Sequence, residues 1–119
     1  MSRIALAIAA LVAMLVAAAS VSASSTAVPR LTGIVGPGFT ITLKKGTKRV
    51  TTLKAGRYTI VVRDKSDEHN FHLKGRGVNK DSGVDFVGTK KWTVRLKAGR
   101  YTFVCDPHAD SMNGSFRVK

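Results

Sequence analysis

The chain has 119 residues, of which 20 are Lys or Arg and seven are Asp or Glu, so its formal net charge is +13 at pH 7. This length suits a single domain and excludes two cores of ordinary size. The single cysteine excludes a disulfide within one chain. A large positive charge affects solubility and the choice of partners, but it carries no information about the fold.

The N-terminal segment is typical of a secretory signal peptide. Arg3 precedes an apolar run from Ile4 to Ala19, and small residues of the kind that signal peptidases prefer end at Ala23. We expect residues 1–23 to be a signal peptide and residues 24–119 to be one secreted or periplasmic domain of net charge +12. An uncleaved membrane anchor is the alternative, although the run is short for a spanning helix.

Period-two alternation of apolar and polar residues dominates the sequence after the signal segment, and helical periodicity is absent from it. Each run predicts a strand with one face on a core, and glycine-containing turns separate the runs. We therefore expect an all-β protein with a Greek-key antiparallel β-sandwich fold. The residues expected to face its core are Phe39, Ile41, Leu43, Tyr58, Ile60, Val62, Trp92, Val94, Leu96, Tyr101, Phe103, Phe116 and Val118.

A short internal repeat supports this interpretation. Residues 53–62 recur as residues 96–105 with eight of ten positions identical. The repeat does not extend into its flanks, which argues against a solenoid or a tandem domain. We expect each copy to be a turn that leads into a strand, with the hydroxyl of Tyr58 or Tyr101 bonding back across the corner. Only the second copy ends in a cysteine.

Three soft or borderline metal donors lie within eight residues near the C-terminus. Cys105 is followed by Asp106, Pro107 and His108, and Met112 lies four residues further on. A thiolate, an imidazole and a thioether form the donor set that copper prefers. Because an odd cysteine in an oxidising compartment must pair with another chain, stay a free thiol or bind a metal, this spacing favours the metal.

The alternation also selects a second histidine. In the run from Glu68 to Leu73, His69 is in phase with the apolar residues, whereas His72 is in phase with Asn70. We expect His69 to point inward and His72 to point outward to solvent. A lone inward histidine is usually a hydrogen-bonded core residue, but together with the C-terminal donors it completes a set of two imidazoles, a thiolate and a thioether.

These motifs resemble those of the cupredoxins, the plastocyanin-like blue copper proteins, and in particular small secreted bacterial members. The residues that carry the resemblance are His69-Asn70-Phe71, the strand from Gly99 to Cys105, the loop to His108, Met112 and the segment from Gly114 to Val118. The match is clearest from Asp64 to Lys119.

The resemblance implies one copper ion that cycles between Cu(I) and Cu(II). His69 and His108 would be its imidazole ligands, Cys105 its thiolate ligand and Met112 a weak axial ligand. Asn70 resembles the family's asparagine that ties the two ligand segments together. The implied function is a type 1 copper protein that carries one electron outside the cytoplasm, and not an enzyme.

Charge near the predicted ligands differs from charge elsewhere. Five of the seven acidic residues lie beside the ligand segments: Asp64, Asp67, Glu68, Asp106 and Asp110. The ligand end is therefore expected to be near neutral or mildly acidic on a basic body. The alternative is that these acids simply suit turn positions.

The principal alternative function is a secreted copper store or delivery protein that uses the same site. The expected partner of a carrier is a redox protein that the sequence does not identify, and we expect a monomer without stable membrane insertion. Nucleic acid is not an expected partner, because no RNA-binding consensus is present. A hydrolase with a Cys105 and His108 pair would leave His69 and Met112 unexplained.

The signal peptide generates a direct prediction. Because cleavage is expected after Ala23, protein exported by a bacterial host should begin at Ser24. Intact-mass measurement of the exported protein checks this, and a mass that retains Met1 would favour the membrane anchor.

Overall fold

The computed structural model describes residues 12–20 and 27–119, and residues 12–20 have no regular secondary structure. Residues 27–119 form ten strands and one short 3₁₀ helix. The strands are β1 (Arg30–Val35), β2 (Ile41–Lys45), β3 (Lys48–Arg49), β4 (Thr52–Leu53), β5 (Gly56–Asp64), β6 (His72–Gly75), β7 (Val78–Asp81), β8 (Gly88–Leu96), β9 (Gly99–Val104) and β10 (Asn113–Val118). The 3₁₀ helix covers Asp106–His108.

The predicted signal-peptide cleavage site after Ala23 lies outside the described residues, as do residues 1–11. In the part of the chain that the structure describes, no helix has the length and apolar character needed to cross a membrane.

The strands form two five-stranded sheets. Sheet I has the order β3-β2-β1-β5-β8, and sheet II has the order β4-β10-β9-β6-β7. Strands β5 and β8 pair with each other although the hairpin β6–β7 between them belongs to the other sheet. Connections of this kind are typical of Greek-key sandwiches, so the predicted β-sandwich is confirmed.

The sheets are mixed rather than purely antiparallel. Strand β1 runs parallel to β5, and β10 runs parallel to β4, whereas the other strand pairs are antiparallel. Parallel neighbours need a long crossover connection. The connection from β1 to β5 is such a crossover. It contains β2 and β3 of sheet I and then β4, which pairs with β10 in sheet II, before the chain re-enters sheet I as β5.

The core lies between the two sheets and contains most of the predicted inward residues. Its largest buried side chains include Tyr101, Phe71, Leu31, Leu43 and Ile60. Three predicted core residues differ. Ile41 and Trp92 are only partly buried at the edge of the core, and Phe39 is 63% exposed in the turn before β2. Phe39 follows Gly36-Pro37-Gly38, so the chain is still turning where the alternation had predicted a strand.

The two copies of the repeat form equivalent corners, as predicted. The Tyr58 hydroxyl donates to the carbonyl of Lys54 at 2.7 Å, and the Tyr101 hydroxyl donates to that of Lys97 at 3.0 Å. Tyr101 also accepts a hydrogen bond from the N–H of Lys97 at 2.9 Å. Each corner leads into a long strand, β5 in sheet I and β9 in sheet II, so the repeat places similar strands in facing sheets.

The unequal bonding of the two corners predicts unequal costs of hydroxyl removal. Tyr101→Phe leaves the Lys97 N–H without its acceptor and should lower the free energy of unfolding by about 1–3 kcal/mol. Tyr58→Phe loses a single bond and should cost about 0.5–1.5 kcal/mol. Urea denaturation with an unchanged m-value measures both, and a larger loss for Tyr58→Phe would contradict the assignment.

Candidate metal centre

The first predicted ligand lies on the connection between β5 and β6 rather than on a strand. His69, Asn70 and Phe71 are all buried, so the expected alternation of inward and outward side chains fails here. The Phe71 N–H donates to the side-chain Oγ of Ser82 at 2.7 Å, which replaces a regular strand bond, and β6 begins only at His72. His69 nevertheless points inward as predicted, with 2% of its surface exposed.

The second segment is a compact loop that follows β9. The main-chain N–H of His108 donates to the Cys105 carbonyl at 3.0 Å, and that of Met112 donates to the His108 carbonyl at 2.8 Å. The N–H of Cys105 donates to the Met112 carbonyl at 3.0 Å and closes the loop. Pro107 fixes one backbone torsion inside it. The loop therefore holds its three side chains in a defined arrangement.

The two segments bring three donor atoms together. Nδ1 of His69 lies 3.0 Å from Nδ1 of His108, and Sγ of Cys105 lies 3.6 Å from each of these nitrogens. Cys105 has no exposed surface. Met112 is fully buried on the same loop, within the hydrophobic core cluster. The structure thus brings together the donor atoms of His69, Cys105 and His108, and the backbone of Met112 is hydrogen-bonded to that of Cys105.

The spacing of the three donors fits one metal ion. Nitrogen and sulfur atoms bound to a common ion at about 2.0–2.3 Å lie about 3.3–3.8 Å from one another. The two sulfur–nitrogen separations fall in this range, and the two nitrogens are a few tenths of an ångström closer, at hydrogen-bond distance. Two imidazoles, one thiolate and a neighbouring thioether are the donors of a copper site. The residues present fit one copper ion.

The side-chain amide of Asn70 joins the two ligand segments, as the resemblance implied. Its Oδ1 accepts the main-chain N–H of Asp106 at 2.7 Å. Its Nδ2 donates to the carboxylates of Asp106 at 2.7 Å and Asp81 at 2.8 Å. Asn70 has no exposed surface, and every polar atom of its side chain is bonded. The residue after His69 therefore fixes the position of the residue after Cys105.

His72 lies on the outer face of sheet II, as predicted, but it is not free in solvent. Its Nδ1 lies 2.7 Å from Oδ2 of Asp106 and its Nε2 lies 2.6 Å from Oδ1 of Asn79, and only 14% of its side chain is exposed. His72, Asp81 and Asp106 form a second group of possible metal donors. These groups already bond to one another or to Asn70, so we interpret them as supports for the loop from Cys105 to Met112 rather than as metal ligands.

Two carboxyl groups near the site have shifted pKa values. Burial acts to raise the pKa of Asp106, but hydrogen bonds from Asn70 and His72 and the charges of His72 and Lys74 outweigh it, so the pKa is lowered. Burial raises the pKa of Asp64, against the smaller effects of the Ser66 N–H and the His69 charge. Asp64 is almost fully buried, so this member of the predicted acidic group does not contribute to a charged surface.

Sequence reasoning missed the role of Phe39. Its ring meets the imidazole of His108 edge-on, with ring centroids 4.9 Å apart, and that of His69 at 5.5 Å. An exposed aromatic ring therefore covers the two histidines at the surface. The Gly-Pro-Gly turn before it was the available sequence signal, since such a turn can present a side chain outside a strand.

No protein-family model matches the chain, and no curated protein sequence matches it. Among solved structures, the chain is similar to the copper protein rusticyanin, with a TM-score of 0.59 and 20% sequence identity over 76% of each chain. It is also similar to reduced rusticyanin, with a TM-score of 0.55 and 23% identity over 76% of this chain and 78% of that one.

At these identities the similarity establishes the fold. It covers most of both chains, and it agrees with the two sheets and with the expectation from the motifs. The chain therefore has the cupredoxin fold, with three candidate metal donors gathered at one end of the sandwich.

Proposed function

We propose that this protein is a type 1 copper protein that carries single electrons outside the cytoplasm after its signal peptide is removed. One observation carries the proposal: the donor atoms of His69, Cys105 and His108 lie within 4.8 Å of one another. We propose His69, Cys105, His108 and Met112 as the ligands of one copper ion. Bound copper would supply one-electron chemistry between Cu(I) and Cu(II).

The surroundings of the donors support a carrier. Cys105, His69 and Met112 are buried in a β-sandwich, and hydrogen bonds of Asn70 tie the two ligand segments together. A frame of this kind resists movement of the donors when the charge of the site changes, which favours fast electron transfer. His108 is half-buried under the exposed ring of Phe39, and here the site is nearest to the surface, where a redox partner would bind.

The likeness to rusticyanin, which is described as a copper protein, supports the same proposal. A copper store or delivery protein is the competing function. A protein that hands over copper needs an exposed and labile site, whereas two of the three clustered donors here are buried. The burial therefore favours a carrier over a store.

The ligand assignment predicts a colour. With Cu(II), the protein should bind one copper ion per chain and turn intensely blue, because the colour arises from the bond between copper and a cysteine thiolate. Cys105→Ser should abolish the blue absorption band. His72→Ala is the control and should keep it, since His72 lies outside the donor cluster and the loop that it contacts through Asp106 is still held by the bond of Asn70 to the Asp106 N–H. Loss of the band in the control alone would contradict the assignment.

The choice between carrier and store predicts the fate of reduced copper. A carrier must retain its metal in both oxidation states, so repeated electrochemical reduction and oxidation beside a strong Cu(I) chelator should leave the copper in place. The control is protein kept oxidised with the same chelator for the same time. Release within the first few reduced cycles, with none in the control, would exclude the carrier and establish delivery.

A further inference from the structure

The outer face of sheet I carries a dense group of positive charges. Outward positions alternate along each strand, and the cross-strand register aligns them. The basic residues at these outward positions, which we name the basic face, are Arg30, Lys44, Arg49, Arg57, Arg63, Lys91 and Arg95. No strand of sheet I has an acidic residue at an outward position. Asp64 of β5 is in phase with the inward residues and is buried.

Several of these cations lie directly opposite one another. Lys44 pairs with Arg49, and Arg57 pairs with Arg95. Like charges at such positions destabilise a sheet. Among residues 27–119 no carboxylate forms a salt bridge with any member of the basic face, since the one pair found there joins His72 and Asp106. The face therefore retains an electrostatic cost that a bound anion would offset.

The outer face of sheet II differs, although it belongs to the same basic chain. Its strands carry three cations at outward positions, Lys74, Arg100 and Arg117, and the carboxylates of Asp81 and Asp106 lie on the same side around His72. The positive charge is thus concentrated on one of the two faces. An excess of this kind marks a surface for an anionic partner.

We propose that the basic face binds the surface of an anionic lipid bilayer. Neighbouring strands lie about 4.8 Å apart and outward residues about 6.8 Å apart along a strand, so the cations spread in two dimensions across five strands. A planar array of lipid phosphates matches such a spread better than a linear polymer does. The face has no aromatic residue on which nucleic-acid bases could stack.

Binding would be electrostatic and would not involve insertion. The apolar side chains at outward positions are Ile34, which is half-buried, and Val61, which is buried. The candidate metal centre lies beyond the ends of the strands, since Gly36 follows β1 and a Cβ placed there would lie 3.5 Å from the His69 ring. When the protein is bound to a bilayer through its basic face, the end that carries the candidate metal centre would therefore lie beside the bilayer and stay accessible to a partner. The proposal does not depend on copper binding.

Vesicle sedimentation tests the proposal, with phosphatidylcholine vesicles that contain or lack phosphatidylglycerol as the probe. The protein should bind only the anionic vesicles, and binding should weaken as ionic strength rises from about 0.05 to 0.5 M. Each basic residue near an anionic surface contributes about fivefold in affinity. The double variant Arg57→Gln with Arg95→Gln should therefore bind about 25-fold more weakly.

The control is Arg100→Gln with Arg117→Gln. These residues also face each other across two antiparallel strands, and their removal changes the net charge by the same amount. The control should bind within about twofold of the unmodified protein. Arg100 corresponds to Arg57 in the internal repeat, which makes the comparison close. Circular dichroism and urea denaturation establish that both variants are folded.

Three results would overturn the proposal. If the two folded variants lost vesicle affinity equally, binding would depend on the net charge of the protein and not on the basic face. Failure of the unmodified protein to bind anionic vesicles at about 0.05 M salt would exclude a bilayer partner. Tight binding of double-stranded DNA with the same dependence on Arg57 and Arg95, and none to vesicles, would identify a nucleic-acid surface.

Discussion

The bond between Asn70 and the segment after Cys105 is the constraint on which the candidate site depends. His69 and Cys105 are 36 residues apart and lie on the connections that flank the paired strands β6 and β9. The buried amide accepts the Asp106 N–H and donates to its carboxylate, and hydrogen bonds to charged groups of this kind contribute about 1.5–3 kcal/mol. The pairing of β6 with β9, in which His72 lies opposite Val104, brings the two connections together, and the Asn70 side chain fixes one against the other.

The internal repeat uses the same corner and strand once for core packing and once for the candidate metal site. Tyr58 and Tyr101 close equivalent corners before β5 and β9, and the strands that follow enter facing sheets. At the tenth position the first copy has Val62, which fills the core, and the second has Cys105, which meets the two histidines. A single change of side chain at a buried position thus places a candidate metal donor where the other copy has a packing residue, without altering the corner.

The sequence predicted the sandwich and the inward residues because alternation reports burial directly where strands are regular. Alternation failed at His69-Asn70-Phe71, where the Ser82 side chain replaces a strand bond, and at Phe39, where a turn holds the ring over the imidazoles. The parallel pairing of β1 with β5 and of β4 with β10 could not be predicted either, because the alternation within a strand does not specify which strand pairs with it. The four proposed ligands could be named because donor chemistry is readable from residue types and spacing, whereas the hydrogen bonds of His72 and Asp81 that support their loop could be found only from coordinates.

The edges of the two sheets have a consequence for self-association. Strands β3 and β4, which each border one sheet, are only two residues long. The other borders, β7 and β8, carry Lys80, Lys90, Lys91 and Arg95. Short edges offer few free backbone groups to a second chain, and charged ones repel a second copy of themselves. The protein can therefore reach high local concentration without its sheets extending from molecule to molecule into a fibre.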